Sequence, residues 1–127
     1  MVVYDPNLDP DPTEWLALDE GDRIALVVEY HRVSGISVPN LQLHAAFHAT
    51  VETQIAMGEE LPVQRTLRRL VREGLERHDA IHAIGSALAE TMHEMLKVEE
   101  REGEDPNPTY FAALDHLTAK RWRRHAR

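Results

Sequence analysis

Cysteine is absent from this 127-residue chain, and with it go disulfides, thiolate zinc sites and a cysteine nucleophile. Any metal site must therefore be built from His, Asp and Glu, which gives weight to the 8 histidines. No run approaches the ~18 consecutive apolar residues that a membrane span requires. The start, Met1-Val2-Val3-Tyr4-Asp5-Pro6, has no basic region ahead of its apolar residues. Together these absences read as a cytoplasmic protein with no membrane partner. Positive charge is also in short supply, 14 Lys and Arg against 22 Asp and Glu, for a net charge of -8. Such a balance repels phosphate backbones and argues against nucleic acid as a partner. The tail from Lys120 to Arg127 is the exception, with five of the basic side chains. Cations near a helix C-terminus gain about 0.3–1 kcal/mol each from the dipole, so that tail needs no ligand to explain it. Missing too are a Gly-rich phosphate loop, a G-x-S-x-G elbow and an H-E-x-x-H motif, the local signals of P-loop nucleotide binding, serine hydrolysis and zincin proteolysis.

What remains is a chain long enough for one core, able to hide roughly 65–70% of its unfolded surface. Residues 1–11, with Pro6 and Pro10 among aspartates, read as an extended lead-in, and 12–127 as a single helical domain. Asp11-Pro12-Thr13-Glu14 supplies an N-cap, a proline at the first helical position and an early glutamate, and a short turn with Trp15 and Leu16 follows. A first full helix then carries Ile24, Val27, Val28 and His31 on one face until Gly35. A second opens near Pro39 and runs to about Gly58. A third stretch from Pro62 holds Leu67, Leu70, Leu75, Ile81, Leu88 and Met92 at helical spacing, with a break expected near 74–77 because of Gly74. A charged linker near 99–107 precedes a last helix with Tyr110, Phe111, Leu114 and Leu117 turned inward. No stretch alternates with the two-residue period of a half-buried strand. The expectation is an all-α antiparallel bundle of about four to five helices. A homodimer is the ordinary prior for a small bacterial chain.

The second helix contains His44, His48 and Glu52 at i, i+4 and i+8. At 100° per residue they span about 80° of arc, with Leu41, Val51 and Ile55 on or beside it. Three polar groups thus lie on an apolar face. The later helix repeats the device in His78 and His82, on an arc with Leu75, Gly85 and Met92. A buried imidazole left without partners costs roughly 1–3 kcal/mol, so four of them pointing inward call for a common cause. Two facing H-x-x-x-H pairs can surround one divalent cation, Zn, Fe, Mn or Ni, with Glu52 as a fifth ligand or as a hydrogen-bond acceptor behind the ligands. An open position would let bound water attack an ester or amide, with Glu52 or Asp79 taking the proton. A closed site would be structural. The competing reading is an interaction module in which the histidines and Glu52 form a buried hydrogen-bond network and no metal binds. His31, His93 and Glu29 are secondary candidates, while His116 and His125 read as surface residues. Glu90-x-x-His93 has the spacing of di-iron bundles but lacks the second copy they require.

His78-Asp79, with an upstream histidine and Asp115 downstream, resembles the H…HD…D order of helical metal-dependent phosphohydrolases, a further enzymatic alternative. From about Trp15 to Leu117 the chain also resembles a bacterial helical family, the domain of unknown function 1841 group. The matching stretches are Val38-Pro39-Asn40, Leu43-His44-Ala45-Ala46-Phe47-His48, Val51-Glu52-x-Gln54-x-Ala56, Leu67-Arg68-Arg69-Leu70, His78 to Gly85, and Tyr110 with Leu114 and Leu117. The resemblance implies that both histidine pairs and Glu52 are family features, and it brings no reaction with it. His93 departs from it, standing where an aromatic such as Trp is expected.

Overall fold

Three short polar side chains start three helices. Asp11 accepts the Glu14 amide at 3.0 Å, Asp19 that of Asp22 at 2.8 Å, and Asn40 that of Leu43 at 3.2 Å. Each satisfies one of the amides that a first helical turn leaves unpaired. They introduce α1 (Pro12–Ala17), α2 (Glu20–Ser34) and α3 (Leu41–Ala56). The computed structural model of the chain describes residues 3–97 and 103–125. After α3 come a 3-10 turn (Gly58–Glu60), α4 (Val63–Arg72), α5 (Arg77–Lys97), α6 (Asn107–His116) and α7 (Ala119–His125). No strand occurs among the described residues, so the all-α expectation holds.

Among the described residues seven helices form where about four to five were expected. The added ones are short. α1 is a six-residue turn, and the last helix ends at His116 and restarts at Ala119. Gly35 stops α2 in the left-handed region at φ 72°, and Gly74, at φ 107°, separates α4 from α5 where the break was expected. Residues 99–102 of the linker expected near 99–107 lie outside the described residues.

Helix α3 is central, packed against α1, α2, α4 and α5. One side of it meets Tyr4, Trp15 and Val27, and Ala45 and Ala49 let these neighbours approach closely. Val51 and Ile55 face a larger core built from Leu67, Leu70, Ile81, Ile84, Tyr110 and Leu114. Burying one such Leu, Ile or Val contributes roughly 1.5–3 kcal/mol. Arg69 ties α4 to the end of α6, donating to the Leu117 and Leu114 carbonyls at 2.7 and 3.0 Å.

The N-terminal segment is more than a lead-in. It forms no helix, as its prolines dictate, yet Tyr4 and Pro6 are buried. Asn7 accepts the His78 backbone amide at 3.2 Å, and the Pro6 carbonyl and Asp9 carboxylate accept from Arg77 at 2.9 and 2.8 Å. These bonds cap the first turn of α5 with residues about 70 positions earlier. No helix among the described residues is long and apolar enough to cross a membrane.

Candidate metal centre

Five imidazoles from three helices meet between α2, α3 and α5: His31, His44 with His48, and His78 with His82. The spacing of four places each pair one turn apart on the same face, and α3 packs against both other helices. Ring centroids lie 4.3 Å apart for His78 and His82, 4.8 Å for His31 and His44, and 4.9 Å for His44 and His82. His48 is 5.5 Å from both His78 and His82. Tyr30 walls one side, edge-on to His31 and His78.

One ligand nitrogen from each of His31, His48, His78 and His82 can be chosen so that all four lie within 4.8 Å of one another. His44 stands just outside this group. Every ring carries one buried nitrogen with no hydrogen-bond partner in the protein: Nε2 of His31, His44, His78 and His82, and Nδ1 of His48.

For two rings the hydrogen-bond pattern settles what the unpaired nitrogen bears. His31 Nδ1 lies 2.9 Å from the Val27 carbonyl, which can only accept, so the proton sits on Nδ1 and Nε2 holds a lone pair. His48 Nε2 lies 2.7 Å from the Tyr4 hydroxyl, whose own proton is donated to Glu52. His48 must then donate from Nε2, leaving the lone pair on Nδ1. Glu52 is held in turn by Arg77, whose two terminal nitrogens donate to its two oxygens at 2.7 Å each. The side chains of this pair are 8% and 0% exposed.

Burial, reinforced by repulsion from the other rings, holds His48 well below the ordinary imidazole pKa, lowers His44, and pushes His82 down to about 3. His78 is lowered by burial and by His31, against an opposing pull from Asp79 and other acids. These rings are neutral at pH 7, the state in which imidazole binds metals. Burial and the charge and hydrogen bond of Glu52 raise Tyr4 well above its usual value, so the phenol stays a donor.

The structure gathers the rings of the four expected histidines, but among the nitrogens that converge within 4.8 Å His31, which the sequence made only a secondary candidate, stands in place of His44. Glu52 does not join them as a fifth ligand. Both of its oxygens are committed to Arg77 and Tyr4, and it acts on the cluster through the tyrosine. Asp79 is exposed, as are Asp115, Glu90 and His93, and among the described residues none of them belongs to the group of side chains that could share an ion. Glu29 is exposed and paired with Arg32. His116 is exposed, while the side chain of His125 lies outside the described residues. Sequence reasoning missed Tyr4 and Arg77. An aromatic among prolines and an arginine next to His78 were the available signals. Set against protein-family models, curated proteins and solved structures, the chain matches none of them.

Proposed function

We propose that this chain binds a divalent metal ion through His31, His48, His78 and His82, with His44 adjoining the ion. The observation that carries the reading is the set of five buried, unpaired ring nitrogens on clustered histidines, four of which can each bring one nitrogen within 4.8 Å of the others. At roughly 1–3 kcal/mol for each unmatched buried polar group, leaving all five unmet costs on the order of the net stability of a domain. A cation that accepts a lone pair from each of His31, His48, His78 and His82 removes most of that penalty. Four nitrogens around zinc at ~2.0–2.1 Å lie about 3.4 Å apart, so the rings close in slightly on binding. An all-imidazole set suits Zn, Ni or Fe better than Mn, which favours oxygen ligands.

The interaction-module alternative explains only part of the site. Arg77, Glu52, Tyr4 and His48 do form a buried network, but it consumes one nitrogen of one ring and leaves the other unpaired nitrogens unexplained. A hydrolytic role loses its expected bases, since Glu52 is locked by Arg77 and Tyr4 and Asp79 is exposed.

The test is elemental analysis of purified protein with single His→Ala variants and melting curves. The expectation is about one ion per chain, lost in the variants at 31, 48, 78 and 82 and only weakened in His44→Ala. Metal at 100 times its Kd stabilises the fold by about 2.7 kcal/mol, a shift of roughly 10 °C in a domain of this size. A chain that takes up no Zn, Ni or Fe, and melts identically with metal and with chelator, refutes the proposal.

A further inference from the structure

A cavity of about 400 Å³ opens beside the cluster, and of the five rings it is lined by His44, His48 and His82. The remaining walls are mainly apolar, formed by Leu43, Phe47, Ile81 and Trp122. Among the described residues no Asp or Glu lines it, in a chain whose net charge is -8. Imidazole ligands bring no negative charge of their own, the buried carboxylate of Glu52 is already matched by Arg77, and the acids that act on His78, namely Asp79, Asp5 and Glu76, are exposed to solvent. An ion held there keeps its full double positive charge in a half-buried setting, where an uncompensated charge is costly.

Resting on the metal reading, we infer that the ion keeps a coordination position on the cavity side, and that this position takes a small organic anion, a carboxylate on an apolar body. The anion supplies the negative charge that the protein's own ligands lack. The apolar walls take up its body, and the unpaired Nε2 of His44 lies at the same wall, within reach of an acceptor or donor on the ligand. A cavity of this size falls in the range of small-molecule sites, which are mostly apolar with a few placed polar groups.

Cobalt(II)-loaded protein tests this through its visible absorption, titrated with azide, acetate and benzoate. All three are expected to shift the spectrum saturably, with benzoate binding about tenfold more tightly than acetate because its ring is buried against the walls. Gly85 and Ala89 both line the cavity, and a Cβ at Gly85 meets only Val51 at 4.0 Å. Gly85→Leu and Ala89→Phe are therefore expected to keep the cobalt and abolish the benzoate preference. Either variant alone suffices if the other fails to fold. Cobalt bound in the wild-type chain with no response to any anion, or with acetate and benzoate equal, overturns this inference while the metal reading stands. No cobalt uptake overturns both.

Discussion

Tyr4→Phe removes one oxygen and keeps the ring that packs 5.6 Å from Trp15 and 5.5 Å from His48. That oxygen makes two buried hydrogen bonds, donating to Glu52 and accepting from His48 Nε2. A bond to a charged group contributes about 1.5–3 kcal/mol, and the His48 N–H left without an acceptor costs about 1–3 kcal/mol more. Some relaxation is expected, so the net loss comes to about 3 kcal/mol, or roughly 10 °C in melting temperature. The second consequence is specific to the site. Without its acceptor the His48 proton is free to move to Nδ1, which occupies the nitrogen needed for the metal, and metal affinity falls about 10- to 100-fold. Urea unfolding in chelator measures the first effect, and competition with a chromophoric zinc chelator measures the second. Tyr30→Phe is the control, since its hydroxyl has no hydrogen bond among the described residues while its ring also borders the cluster; it should stay within about 0.5 kcal/mol of wild type. Equal stability and equal zinc affinity for Tyr4→Phe and Tyr30→Phe would refute the chain of bonds from Glu52 to His48.

Arg77→Met strands Glu52 inside the protein and is expected to cost about 3–5 kcal/mol by urea unfolding, with Glu52→Gln added to it recovering part of the loss; a double variant no better than the single one counts against the pair. In chelated protein, stability should be level above pH ~6.5, where the rings are neutral both folded and unfolded. Below that the unfolded chain takes up protons that His44, His48, His78 and His82 resist, so stability falls as pH falls, continuing for His82 to about 3. Each ring steepens the slope by at most about 1.4 kcal/mol per pH unit, less for half-buried His44 and His78; a flat profile between pH 4 and 7, about the window these shifts define, contradicts the buried neutral cluster. His93→Ala should leave metal content and melting unchanged, since that ring is exposed, whereas His31→Ala should lose the metal, a contrast read by elemental analysis.

Helix starts and most helix ends were legible because their causes are local. Asp11, Asp19 and Asn40 cap within three residues of themselves, and Gly35 and Gly74 act through their own φ angles. The two H-x-x-x-H pairs were legible for the same reason, since a spacing of four fixes a shared face whatever the rest of the chain does. His31 was only half legible. It has no histidine partner on α2, and its one local sign is a place on the Val27 face. Glu52 was placed on the right face, but which of its two expected roles it takes, ligand or acceptor behind the ligands, was not legible, because its partner Arg77 is 25 residues away and Tyr4 is 48. A carboxylate one turn from a histidine looks the same in sequence whether it binds a cation or an arginine. Tyr4 was invisible for a related reason: its segment has no periodicity, and its burial follows from contacts made with α1, α2 and α3 after they assemble.

Arg77 explains two features at once. By binding both oxygens of Glu52 it removes the one acidic side chain that could have ligated an ion on α3, and by holding that carboxylate as the acceptor for Tyr4 it directs the His48 lone pair inward. The Val27 carbonyl does the same for His31 from another helix. Two lone pairs aimed into one space cannot hydrogen-bond to each other. A water molecule placed between them has two protons to give, which these two rings alone would consume. His78 and His82 bring further unpaired nitrogens to the same place, and wherever these also present lone pairs the cluster asks for more protons than one water supplies. A divalent cation, as proposed, would meet all four with one atom. The hydrogen bonds behind the rings, rather than the count of histidines, are therefore what separates this cluster from a chance gathering of buried imidazoles.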